Sequence, residues 1–240
     1  MPRFFVDSIT DEKYAAITGE DARHISRSLR MKKDDALTVT CGGIDYSCII
    51  KEISDSMVSL EVLFFNKCKS EPGIDLTLFQ AVPKLDKLEL IIQKSVELGV
   101  NRIVPVLTRR CVSRPSEKDF AKKLPRYQRI SLEAAKQSGR GIIPEVMPII
   151  SYGEALEQMK KTDFPLMLYE QGGVHFSEAG LKNGGTVSLL VGSEGGFDES
   201  EVAKADEAGI KRIWLGDRIL RCETAPLAAV SITMFLTGNL

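Results

Sequence analysis

The chain has 240 residues, 43% hydrophobic and 27% charged, with a net charge of −1; this length fits one large domain or two ordinary ones, and the composition is that of a globular protein. No apolar run approaches the roughly 18 residues needed to span a bilayer, and MPRFFVDSIT lacks the apolar core of a signal peptide. Five scattered cysteines without a Cys-x-x-Cys pair, and two distant histidines, speak against a metal site, a disulfide framework or a histidine triad, and for cysteines used as small buried residues in a reducing cytoplasm.

Residues 1–70 read as β-rich. ALTVTC (36–41), YSCIIKEIS (46–54) and MVSLEVLFF (57–65) carry alternating and β-branched apolar residues. Gly42-Gly43-Ile44-Asp45 reads as a hairpin turn, and a short helix over 20–30 gathers His24, Arg27 and Arg30 on one side. A small barrel-like module fits. KSEPG (69–73) reads as a linker.

From residue 73 the pattern alternates strand and helix. DLTLFQAV (75–82), RIVPVLT (102–108), PLMLYE (165–170), TVSLLVG (186–192) and KRIWLG (211–216) are the strands. Helices are expected over 86–99, closed by Gly99, over 116–138, after capping boxes at Ser151-x-x-Glu154 and Asp198-x-x-Glu201, and over 227–236. This order predicts a parallel α/β sheet covered on both faces. LAAVSITMFL (227–236) is apolar nearly all round, which asks for burial, and a subunit interface would supply it.

Charge is unevenly spread. Residues 101–143 carry eleven Lys or Arg against three Asp or Glu; residues 144–207 carry four against twelve. A basic stretch is a footprint for nucleic acid, or a solvated face that pairs with the acidic one.

Ligands of open parallel sheets bind beyond the carboxyl ends of the strands, where three loops fall: Tyr169-Glu170-Gln171-Gly172-Gly173, Gly192-Ser193-Glu194-Gly195-Gly196, and Gly216 to Thr224. The second is neither a dinucleotide fingerprint nor a P-loop. That weakens an oxidoreductase reading, while a purely RNA-binding module would leave these loops idle. The third leads Arg221, Glu223 and Thr224 into a helix entrance, where free N–H groups favour polar ligand groups; Thr224 serves equally as an N-cap.

LLVGSEGGFDESEV followed by LGDRILRCETAPLAAV resembles the C-terminal signature of the RsmE-type methyltransferases of the SPOUT superfamily. PRFFV, HISRSLRMKKDD, IIQKSVELGVNRIVPVLTRRCV and EAAKQSGR extend the resemblance over nearly the whole chain. Ser193 stands where that family usually has proline, and Cys222 where it often has threonine; both are small. The resemblance implies a PUA-like RNA-binding barrel over 1–70, a knotted methyltransferase domain over 73–240, a homodimer, and methylation of uridine N3 in small-subunit (16S) ribosomal RNA or the assembled subunit. It implies S-adenosylmethionine held by the three loops, through Leu168, Tyr169, Glu170, Val191, Gly192, Ser193, Glu194, Gly195, Gly196, Leu215, Gly216, Arg218, Ile219, Leu220, Arg221, Thr224 and Ala225.

Uridine N3 must lose a proton before it attacks the methyl group. Arg221 is the expected cation for the charge that spreads onto the uracil oxygens. Glu194 or Glu223 would serve as base if burial raised its pKa; hydrogen bonding to loop amides or to Arg221 is the alternative role. Arg3, His24, Arg27, Arg30, Lys32, Lys94, Gln137 and Arg140 are the candidate RNA contacts, each equally able to be ordinary surface charge.

Overall fold

A computed structural model describes residues 2–240. The chain divides into two units: one runs through Glu71 and takes back Ala135–Ile142, and the other holds Pro72–Ala134 and Ile143–Leu240.

The first unit is built on β1 (Arg3–Phe5), β2 (Tyr14–Thr18), β3 (Ala36–Cys41), β4 (Ile44–Ile53) and β5 (Met57–Lys67), ordered β1-β3-β4-β5-β2. Only the β1–β3 pair is parallel. Alternation does its work here: Ala15 and Ile17, Leu37 and Val39, Cys48 and Ile50, Val58 and Leu60 all point into one core. The β3–β4 turn is tighter than the sequence reading had it. Gly42 and Gly43 alone make it, at φ of 56° and 82°, the two positive values of a turn that matches strand twist. The expected helix is also shorter. α1 covers Gly19–Arg23, and His24–Ser28 continue as a single π-helical turn, with Ala22 and Ile25 in the core.

The second unit contains β6 (Asp75–Ala81), α2 (Lys87–Glu97), β7 (Arg102–Leu107), β8 (Glu145–Val146), β9 (Ile150–Ser151), α4 (Tyr152–Met159), β10 (Phe164–Leu168), β11 (Val174–His175), β12 (Thr186–Val191), α5 (Glu199–Glu207), β13 (Lys211–Trp214) and α6 (Thr224–Leu236). The helix α3 (Glu117–Ser138) runs to Ala134 in this unit, and its last residues are counted with the first. The sheet order is β11-β13-β10-β12-β6-β7-β8, with β9 also on β7, and every pairing is parallel. β6 is buried from Leu76 to Ala81 and β12 from Val187 to Val191, the continuous burial that a sheet covered on both faces imposes.

The helices start and stop where local chemistry says. Ser151 and Asp198 each close both halves of a capping box, on α4 and α5. α2 buries Leu88, Ile91, Ile92 and Val96 on one stripe, each contributing about 1.5–3 kcal/mol, and Gly99 at φ 104° turns the chain away. α6 begins at Thr224, three residues earlier than its apolar run, with Pro226 in the first turn. It packs on α2 and β12 and buries Pro226, Ala229, Val230, Thr233 and Met234. Its opposite side, with Leu227, Ala228 and Ile232, is only half-buried in the single chain, and Phe235 is 69% exposed.

Candidate functional site

The parallel sheet delivers three chain segments to one place. β10 ends in Leu168 and runs into Tyr169-Glu170, β12 ends in Val191 and runs into the GSEGG loop, and β13 ends in Trp214 and runs into the loop to Cys222. All three line a single cavity of about 470 Å³. Every residue expected to contact cofactor borders it except Thr224, which lies outside as the first residue of α6. The N-cap position is Glu223, and its side chain makes no cap hydrogen bond. The sequence reading missed Lys87, Phe197, Ile213, Trp214 and Cys222 on the cavity wall. Phe197, Trp214 and Cys222 adjoin expected residues and Ile213 lies one further back on β13; Lys87 enters from α2, which no local motif announces.

The GSEGG loop is held from several sides. Gln80, buried on β6, donates from Nε2 to the Gly192 carbonyl at 3.3 Å. The Ser193 hydroxyl donates to the Arg110 carbonyl at 3.3 Å, and the Arg110 guanidinium donates to the Gly195 carbonyl at 3.2 Å. Gly196 sits at φ 64° and pairs back to Ser193, a conformation that glycine enters without strain. A Cβ on Gly195 would lie 3.0 Å from the Arg110 Cβ. Part of the room these glycines leave is therefore used by the protein itself.

At the rim, the Lys87 ammonium lies 3.0 Å from Glu223 Oε2 and 3.3 Å from Glu194 Oε1. Glu194 also accepts the Lys84 N–H at 3.0 Å. Burial works to raise the Glu194 carboxyl, but its own amide, that of Lys84 and the Lys87 ammonium outweigh it and hold it below its usual range. Lys87 above all holds Glu223 down as well. The condition for a general base, a carboxyl raised by burial, is met by neither residue. Their partner is Lys87 rather than Arg221. Burial, then the neighbouring Glu223 and Glu194, push the Cys222 thiol up to about 12, so it remains a protonated donor to Glu223 at 3.2 Å. The exposed Arg221 borders the cavity, and its guanidinium has no hydrogen-bond or ion-pair partner among the described residues.

The expected RNA contacts are not brought together with equal freedom. Arg140 is 2% exposed and donates Nε and Nη2 to the two oxygens of Glu71, both at 2.8 Å. It is a buried structural ion pair, and the expectation that it meets RNA is corrected. Arg3 is likewise committed: it grips Asp45 at 2.6 and 2.9 Å and donates to Thr40. Both arginines look basic in sequence because their carboxylates lie 42 and 69 residues away. Arg27 pairs with Asp55, and Lys94 with Glu97, at the surface. His24, Arg30, Lys32 and Gln137 are exposed. The basic stretch does not simply face the acidic one: Arg109 reaches Asp198, but Arg126 pairs with Glu89 and Lys136 with Asp21.

One unit is a parallel α/β sheet whose strand ends gather three glycine-bearing loops on one cavity, the other is a small β-rich module, and comparison with known proteins places both in an RNA methyltransferase. An RNA methyltransferase domain matches residues 69–234, and an RNA methyltransferase PUA domain matches residues 17–63. The chain is 34% identical to the ribosomal RNA small subunit methyltransferase E of Bacillus subtilis, over 99% of this chain and 97% of that protein. It is 33% identical to the enzyme of the same name from Mesomycoplasma hyopneumoniae, over 95% and 96%. Among solved structures it superposes, at a TM-score of 0.89 and 33% identity over 99% and 98% of the two chains, on the Neisseria gonorrhoeae ribosomal RNA small subunit methyltransferase E bound to S-adenosyl methionine. A putative methyltransferase from Legionella pneumophila with bound SAM matches at 0.85 and 26% identity, over 97% and 96%. The chain belongs to the ribosomal RNA small subunit methyltransferase E family.

Proposed function

We propose that this chain methylates N3 of a uridine in small-subunit ribosomal RNA, with S-adenosylmethionine as the methyl donor, as a homodimer in the cytoplasm. The observation that carries the reading is the convergence of three strand-end loops on one cavity in a chain of this family. About 470 Å³ falls within the roughly 300–1,000 Å³ of small-molecule sites. The walls also suit the cofactor. Leu168, Val191 and Leu215 offer apolar surface and backbone groups to an adenine, with Gly192 and Leu220 beside them, and Glu194 offers negative charge to a cationic tail.

When bound, the cofactor supplies a methyl group already activated on its sulfonium. The chain then has to admit the base, align N3 and stabilise the uridylate. Arg221, permanently charged and unpaired at the cavity, stabilises negative charge on the uracil oxygens. Lys87 helps hold Glu194 and Glu223 below the usual carboxylate range, so neither gains basicity from burial, and stabilising the uridylate falls chiefly to Arg221. His24, Arg30, Lys32 and Gln137, all exposed, remain the candidate RNA contacts outside the cavity. The half-buried apolar side of α6 is the natural dimer face, and a trefoil crossing of the loop-bearing segments belongs to the same reading.

Calorimetric titration with S-adenosylmethionine tests it. Gly195→Val is a poor probe because its side chain would strike Arg110. Ala225→Phe instead places bulk in the cavity wall. Wild-type binding, abolished by Ala225→Phe with an unchanged circular dichroism spectrum, is the expected outcome. No binding by the wild type, alone or with small ribosomal subunits present, overturns the proposal.

A further inference from the structure

We propose that Leu85 is a wedge that enters the RNA at the mouth of the cavity and helps extrude the target nucleotide. The inference rests on the methyltransferase reading. Leu85 is 90% exposed and sits at φ 56°, in the left-handed region that disfavours a residue with a side chain. The strained backbone costs stability, and the exposed side chain gains nothing from burial to offset it. Such strain persists where the surroundings impose it, and it clusters at functional sites.

The surroundings here are the cavity rim. Leu85 lies on the short connection from β6 to α2, and that connection is fastened on both sides of it. On one side the Lys84 N–H donates to Glu194 at 3.0 Å; on the other the Lys87 ammonium bridges Glu194 and Glu223. Lys87, Glu194 and Cys222 border the cavity, but Leu85 does not. Its side chain is thus held beside the opening and contributes nothing to the wall.

The chemistry of the rim favours RNA as the occupant. Lys84, Arg218 and Arg221 are exposed near the opening, and Arg218 and Arg221 line it, so a phosphate backbone meets cations on approach. Uridine N3 lies on the edge that base pairing hides, and in a helical stack the neighbouring strand and bases limit access to it, so enzymes that act on such bases take them out of the stack. Apolar side chains inserted between bases are the usual means of unstacking them. Leu85 supplies that apolar group, next to the exposed Lys84 and followed by Asp86.

Leu85→Gly removes the wedge and relieves the strained residue. Methyl transfer to small ribosomal subunits is expected to fall about tenfold or more in kcat/KM for RNA. The affinity for S-adenosylmethionine should stay within about twofold and Tm should not fall, while Leu85→Met should restore most of the transfer. Wild-type transfer by Leu85→Gly overturns the wedge alone. A loss of transfer matched by an equal loss of cofactor binding, or by a lowered Tm, also overturns it, because that pattern belongs to a structural leucine. A wild type that binds cofactor but methylates no RNA overturns the parent reading and the wedge with it.

Discussion

Arg140→Met should cost the protein about 3–5 kcal/mol, the usual penalty for removing one partner of a buried ion pair. The geometry supports the upper part of that range. Arg140 is 2% and Glu71 9% exposed, and two parallel 2.8 Å contacts join them. Methionine keeps the apolar stem but leaves the Glu71 carboxylate with only the Gly141 and Ile142 N–H groups, at 2.7 and 3.1 Å. In urea, where the free energy falls by about 1–3 kcal/mol per molar, the midpoint of the transition at pH 7 should drop by more than about 1 M. Pairing the change with Glu71→Leu should recover most of the loss, since an apolar pair of similar volume is often no worse than the ions. The pH profile gives a second reading of the same contact. Burial works to raise the Glu71 carboxyl, but Arg140 and the two amides outweigh it, holding it below its ordinary value of 4.5. The stabilisation is therefore complete above about pH 4.5 and is lost as pH falls through the depressed value. Arg140→Met removes most of what depresses it, so the acid-side loss should shrink. A single variant that costs less than about 1 kcal/mol, or a double variant no better than the single, would refute the account.

Two further predictions concern the second unit. Ser95 on α2 is fully buried and its hydroxyl has no hydrogen-bond partner among the described residues. Ser95→Ala removes the unsatisfied group and improves helix propensity, and should raise stability by about 1 kcal/mol, read as a higher urea midpoint. Lys87→Met leaves Glu194 and Glu223 without the cation they share. Both carboxyls should then titrate at higher pH, seen by carbon-detected NMR of the two side chains, and unchanged titration would show that Lys87 is not what holds them down.

The alternation of strand and helix, both capping boxes and the gathering of three loops were legible because each is a local pattern: a period, a spacing or a glycine after an apolar run. The two-residue strands β8, β9 and β11 were not, being too short to show any period. Pairings across long separations were equally hidden. Arg3 and Arg140 carry the same charge as a phosphate-binding arginine, and only the distant Asp45 and Glu71 reveal their role. Lys87 likewise looks like any first-turn lysine until Glu194 and Glu223 arrive beside it.

The first unit is discontinuous in the chain: it breaks at Glu71 and is completed by Ala135–Ile142. During synthesis, the residues that satisfy Asp21 and Glu71 are made last, Lys136 closing on the former and Arg140 on the latter. At roughly 5–20 residues per second, the nascent unit waits several seconds for them while its sheet is already available. It follows that a fragment cut at the linker would be an unfinished object with a stranded carboxylate, and that the first unit can be completed only after Pro72–Ala134 of the second has been made.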